Sequence, residues 1–187
     1  TLESSSAASD VYKRQGVVYA TFDNGRIGAF NIKTGLPIWD GAISFTEGVS
    51  ELDNLIDADS SPVLEGNRIY TVNFQGNLSV FDAAQRRTVW ESKESSFYEP
   101  FILRGVVGII SADSKISTYS SRTFEDSWKL EEYALRELSN PATFKGYILV
   151  GDLEGYIHAI DPLTGITVAR KKISCLLYTS PSPRDTR

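Results

Sequence analysis

One cysteine, one histidine and no methionine occur among the 187 residues of this chain. A single thiol, Cys175, cannot form an internal disulfide, so the sequence carries no disulfide framework. His158 alone cannot build a zinc site, which takes several His or Cys ligands. Ser60 and Ser61 have no neighbouring histidine to activate them as nucleophiles. No apolar run approaches the ~20 residues of a membrane-spanning helix. Basic residues are outnumbered 19 to 24, giving a net charge of −5. Phosphate-backbone binding needs clustered Lys and Arg, so nucleic acid is not an expected partner.

The two ends differ in kind from the rest. Residues 10–15 read DVYKRQ, a string encoded by GATGTGTATAAGAGACAG. The complementary strand, shifted by one base, contains TGTCTCTTATACACATCT. That encodes CLLYTS, residues 175–180. Opposite ends of one protein have no reason to be coded by opposite strands of one short DNA, and a pair of Ser-rich disordered tails would not explain it. The wider strings SSAASDVYKRQ and CLLYTSPSPRD resemble translated transposase-based sequencing adapters. Residues 1–15 and 175–187 are therefore expected to be adapter-derived, leaving 16–174 as a fragment of a longer native protein. That stretch has no cysteine.

Within 16–174 one pattern recurs four times. A turn residue precedes a docking position by fourteen places: Gly25 and Trp39, Gly76 and Trp90, Ser114 and Trp128, Gly155 and Ala169. Five places after each turn stands Phe30, Phe81, Tyr119 or Ile160. The units begin 51, 38 and 41 residues apart. Fixed spacing inside units and variable spacing between them is the pattern of blades joined by loops.

Each unit reads as short strands rich in β-branched and aromatic residues, separated by tight turns. The first gives 16–22, the DNG turn at 23–25, 26–32 and 36–43. The second gives 60–64, 67–74, 78–82 and 87–92. The third gives 99–103, 106–112, 116–120 and 125–130. The fourth gives 140–144, 147–152, 156–161 and 166–173. Each complete unit is expected to be a four-stranded antiparallel meander. The fold class is all-β, a partial β-propeller of about three complete blades plus most of a fourth. Residues 130–138 show some helical periodicity but sit between blades, and are expected to form a loop with at most one helical turn. A Trp on an outer strand can lie across the next blade while its indole N–H finds a backbone acceptor. Ala169 predicts a weaker contact there.

Three charged features compete for a chemical role. Asp57 and Asp59, in DADSSP, can cap the turn into the strand that follows. As an alternating Asp pair they could also ligate calcium, but without further oxygen ligands that signal is weak. Asp152 and Glu154 flank a hairpin turn and have the form of a general acid–base pair. Carboxylates at turns are usually solvated, which weighs against that role. His158, mid-strand in YIHAID, reads as a packed or channel-facing side chain.

The form D-x-x-T-G followed by a docking position, seen in NIKTGLPIW (31–39) and DPLTGITVA (161–169), resembles the pyrroloquinoline-quinone-type propeller repeat. FDNGRIGAFNIKTGLPIWDGAIS, LIDADSSPVLEGNRIY and LVGDLEGYIHAIDPLTG further resemble the BamB family of outer-membrane protein assembly factors, over nearly all of 16–174. That resemblance implies an eight-bladed ring, of which this chain holds about half. It implies a non-enzymatic subunit of the β-barrel assembly machinery with no cofactor and no metal. The expected location is the periplasmic side of the bacterial outer membrane, held by a lipid anchor outside this fragment. The implied partners are the periplasmic domains of BamA and unfolded outer-membrane proteins. Asp57 and Asp59 match the family's acidic pair that contacts BamA, a role compatible with turn capping. The family's second contact element, a Leu- and Arg-containing loop, would lie upstream of Gly16. The rival class is a PQQ-dependent quinoprotein dehydrogenase on a similar propeller. Those enzymes use calcium ligands, a stacking Trp and often an adjacent cysteine pair, and 16–174 offers no cysteine.

Overall fold

Among the described residues sixteen strands form, all but the first where β-branched and aromatic residues stand between turn residues. The computed structural model describes residues 8–14, 16–22, 26–42, 61–72 and 77–173, the first of these as backbone alone. The strands make four separate four-stranded sheets, each an antiparallel meander in chain order. The first holds β1 (Ala8–Arg14), β2 (Val17–Phe22), β3 (Arg26–Asn31) and β4 (Pro37–Ala42). The second holds β5 (Val63–Glu65), β6 (Arg68–Val72), β7 (Leu78–Asp82) and β8 (Arg87–Ser92). The third holds β9 (Phe101–Leu103), β10 (Val106–Ile110), β11 (Ile116–Ser120) and β12 (Asp126–Leu130). The fourth holds β13 (Ala142–Phe144), β14 (Tyr147–Gly151), β15 (Tyr156–Ile160) and β16 (Thr167–Lys172). No helix occurs among the described residues, and 131–138 forms turns, as its position between blades predicts.

The first sheet carries one strand more than its sequence unit predicts. β1 lies in the stretch set aside as adapter-derived, and its backbone pairs with β2 from Arg14 opposite Val17 to Ala8 opposite Phe22. Strand pairing uses main-chain groups, so the unpaired edge of β2 is itself a template for an extended neighbour.

Two local devices repeat in every sheet. The first is a register shift in the third strand, between Ala29 and Phe30, Val80 and Phe81, Ser117 and Tyr119, and Ala159 and Ile160. In three sheets the residue before the shift pairs with the docking position: Ala29 with Trp39, Val80 with Trp90, Ala159 with Ala169. In the third sheet a side chain takes over this pairing. The Thr118 hydroxyl donates to the Trp128 carbonyl at 2.6 Å and accepts from the Trp128 amide at 3.1 Å.

The second device is the turn after the third strand. The side-chain oxygen of Asn31, Asp82, Ser120 or Asp161 accepts the amides two and three residues on. The amide four residues on returns to the same residue's carbonyl at 2.7–2.9 Å. That fourth residue takes a left-handed φ each time: Gly35 at 70°, Arg86 at 54°, Phe124 at 63° and Gly165 at 73°. Asx-type capping drives this turn, so it survives loss of the glycine. The left-handed conformation costs an L-residue about 1–2 kcal/mol, and glycine's extra unfolded-state freedom takes back about 0.4–1 kcal/mol. Arg86→Gly, at an exposed position, is therefore expected to stabilise the chain by about 0.5–1 kcal/mol. Urea denaturation would check this through a higher midpoint at unchanged slope.

The chain divides into two compact units, Thr1–Ile102 and Leu103–Arg187. In the first, Ile27, Ile69 and Phe81 form a fully buried cluster, with Tyr19, Trp39, Leu64 and Ala83 packed against it. Trp39 of the first sheet stacks on Phe81 of the second, with centroids 5.5 Å apart and planes 19° apart. Gly41 makes room for this approach, because a Cβ there would stand 3.0 Å from the Phe81 ring. In the second unit, Val107, Ile109, Ile110, Ile116, Ile148, Val150 and Ile160 are buried. Trp128 of the third sheet lies over the turn of the fourth. Its indole N–H donates to the Pro162 carbonyl at 2.8 Å, the backbone acceptor expected for it. A Cβ on Gly165 would stand 2.8 Å from the same ring.

Candidate functional site

Asp57 and Asp59 lie outside the described residues, as do the turn at 23–25 and Gly76. The chain is described again from Ser61, two residues before β5. The charged site that the structure does describe is in the second unit, at the turn between β14 and β15.

That turn, Asp152–Tyr156, is built by Asp152 itself. Its amide donates to the Tyr156 carbonyl at 2.9 Å, and its Oδ1 accepts the Tyr156 amide at 2.9 Å. Gly155 supplies the positive φ, 82°. The preceding sheet makes the same turn with Ser111 as the capping side chain and Ser114 at φ 65°. Asp152 is therefore a buried cap, 1% exposed, which corrects the expectation of a solvated turn carboxylate. Glu154 follows that expectation, with 63% of its side chain exposed.

With Oδ1 committed to the turn, Oδ2 of Asp152 gathers three partners. His158 Nε2 lies at 2.8 Å, Arg136 Nη1 at 3.2 Å and Arg170 Nη2 at 4.0 Å. Burial alone would raise the Asp152 carboxyl. The bonds from His158, the Tyr156 amide and Arg136 outweigh it and hold the pKa below the ordinary carboxylate range. His158, 2% exposed, meets the Tyr133 ring edge-on at 4.8 Å. Burial pushes the Tyr133 phenol up, and its hydroxyl is hydrogen-bonded to Thr167. Arg170 lies over the Tyr156 ring, its Cζ 3.7 Å from the centroid. Both arginines also reach Glu154, Arg136 at 3.5 Å and Arg170 at 3.4 Å.

These side chains border an open recess of about 200 Å³, lined by Glu132, Tyr133, Arg136, His158, Thr167 and Arg170. Sequence reading singled out Asp152, Glu154 and His158, and the structure brings the three together. It missed Arg136, which comes from the irregular 131–138 segment and has no periodic signal. It also missed Arg170, although the hairpin register sets His158 opposite Arg170. That pair is readable once Ala159 is aligned with Ala169. The arrangement is poorly suited to acid–base catalysis. The imidazole is buried and its Nε2 is taken up by Asp152, so that nitrogen is not free for a substrate proton.

Comparison with known proteins bears on most of the chain. The family model of the outer membrane protein assembly factor BamB matches residues 1–130. BamB of Kangiella koreensis is 34% identical over 170 residues, covering 91% of this chain and 43% of its own length. BamB of Pseudomonas aeruginosa is 32% identical over 150 residues, covering 80% and 40%. The crystal structure of BamB from Moraxella catarrhalis matches with a TM-score of 0.72 at 30% identity, over 84% of this chain and 47% of that one. The chain thus spans less than half the length of these relatives. Quinohemoprotein alcohol dehydrogenase from Comamonas testosteroni matches with a TM-score of 0.64 at 16% identity, over 89% of this chain and 35% of that one, a likeness of fold alone. With four meander sheets and these neighbours, the fold is all-β and a partial β-propeller.

Proposed function

Since the chain belongs to the family of the outer membrane protein assembly factor BamB, we propose that it is part of a non-enzymatic scaffold of the β-barrel assembly machinery. It works on the periplasmic side of the outer membrane, binds the periplasmic domains of BamA, and assists insertion of outer-membrane proteins. The observation that carries this reading is the match of the family model over residues 1–130 together with relatives covering 80–91% of the chain. A buried histidine whose Nε2 is bonded to Asp152 supports a scaffold over an enzyme.

Asp57 and Asp59 are the proposed contacts to BamA, pairing with basic groups on the partner. The test is calorimetric binding of this chain to purified BamA periplasmic domains. Asp57→Lys with Asp59→Lys is expected to weaken binding at least tenfold, about 1.4 kcal/mol or more, with the thermal midpoint unchanged. Equal affinity at an equal midpoint would remove both residues from the contact.

A further inference from the structure

Arg136 and Arg170 converge from different elements, one from the 131–138 segment and one from β16, and both line the recess. A guanidinium carries five N–H donors on three nitrogens. Asp152 and Glu154 engage only Nη1 of Arg136 and only Nη2 of Arg170. The remaining donors meet no acceptor among the described residues. Two half-exposed forks with spare donors, steadied by a buried carboxylate, are the usual means of gripping a second carboxylate.

Glu154 is the informative residue. Its exposed Oε2 bridges the two arginines at 3.5 and 3.4 Å, at distances longer than a strong charge-assisted bond. It sits at the tip of a hairpin turn, where solvent can take it up. Once it swings out, Arg136 and Arg170 keep Asp152, Glu132 is the carboxylate in the lining of the recess, and Lys172 lies 5.2 Å from the Tyr156 ring. Asp152 is committed to His158 and the turn, and Glu132 accepts from the Thr167 hydroxyl at 3.2 Å. The exposed strand at this rim reads Arg170, Lys171, Lys172, a basic run in a chain whose net charge is −5.

We propose that the recess between Arg136 and Arg170 is a docking site for a carboxylate side chain of an acidic protein segment, with Glu154 as its internal, displaceable occupant. The proposal does not rest on the assembly-factor reading. An incoming carboxylate exchanges with Glu154 on the two forks, while the rest of the segment runs along the basic β16.

The probe is a fluorescein-labelled, end-blocked peptide of alternating Glu and Gly, followed by anisotropy at low salt. Glu154→Gln is expected to bind it at least fivefold more tightly than the unsubstituted chain. Adding Arg170→Gln is expected to cancel that gain and weaken binding at least tenfold. A peptide with Gln in place of Glu is expected not to bind. Equal affinity of Glu154→Gln and the parent would overturn the proposal, as would a double variant that keeps the Glu154→Gln affinity. Should the double variant unfold, NMR of the arginine Nε–H groups in the Glu154→Gln chain decides. Shifts of Arg136 and Arg170 on adding peptide support the site, and unmoved resonances exclude it.

Discussion

Gly165→Ala is expected to destabilise the second unit by about 1.5–4 kcal/mol. Two costs combine. The φ of 73° penalises an L-residue by about 0.5–1 kcal/mol, net of glycine's unfolded-state freedom, and a methyl 2.8 Å from the Trp128 ring overpacks a rigid contact by about 1–3 kcal/mol. The indole cannot yield without giving up its bond to the Pro162 carbonyl. The check is a double-mutant cycle. In a Trp128→Ala background the clash is gone, so the Gly165→Ala cost should fall to the net backbone share of about 0.5–1 kcal/mol. Additive losses would mean that the two residues do not meet in solution.

Asp152→Asn should cost about 1–3 kcal/mol, the usual effect of leaving buried hydrogen-bonding groups without their partner. Arg136 would lose its buried counter-charge and His158 the carboxylate on Nε2. The variant also separates the pH dependence. The Asp152 pKa is depressed in the folded state, so the unfolded chain binds this proton more readily. Its stabilising contribution is therefore fully present above the unfolded carboxylate pKa of about 3.9. It is lost as pH falls through the lower folded value. Thermal midpoints measured from pH 7 down to pH 2 should show a steep acid limb in the parent chain and a shallower one in Asp152→Asn. Parallel limbs would assign the acid sensitivity to other carboxylates.

The strand pattern was largely legible because it depends on local chemistry. Alternating apolar residues between turn residues placed β5 to β16 within a few residues of their positions. The fourteen-residue spacing is a hairpin register read along the chain, so it survived the change from Gly155 to Ser114 at the turn. It also marked Trp39 and Trp128 as outer-strand residues lying across the next sheet, where they meet Phe81 and the Pro162 carbonyl. What the pattern did not show is burial set by irregular segments. Asp152 and Ser111 hold the same turn position, but only Asp152 collects Arg136 from the 131–138 segment, whose course follows from packing of Tyr133 and Leu138 and not from periodicity. Nor does a pattern of side chains announce β1, a strand held by main-chain bonds.

The bonds that hold β1 take no account of its side chains. The residues ahead of Gly16 are therefore a structural ingredient of the first sheet, and replacing Ala8–Arg14 by a Gly- and Pro-rich segment would bare the flank of β2. Chains that differ only there would differ in the edge their first sheet presents.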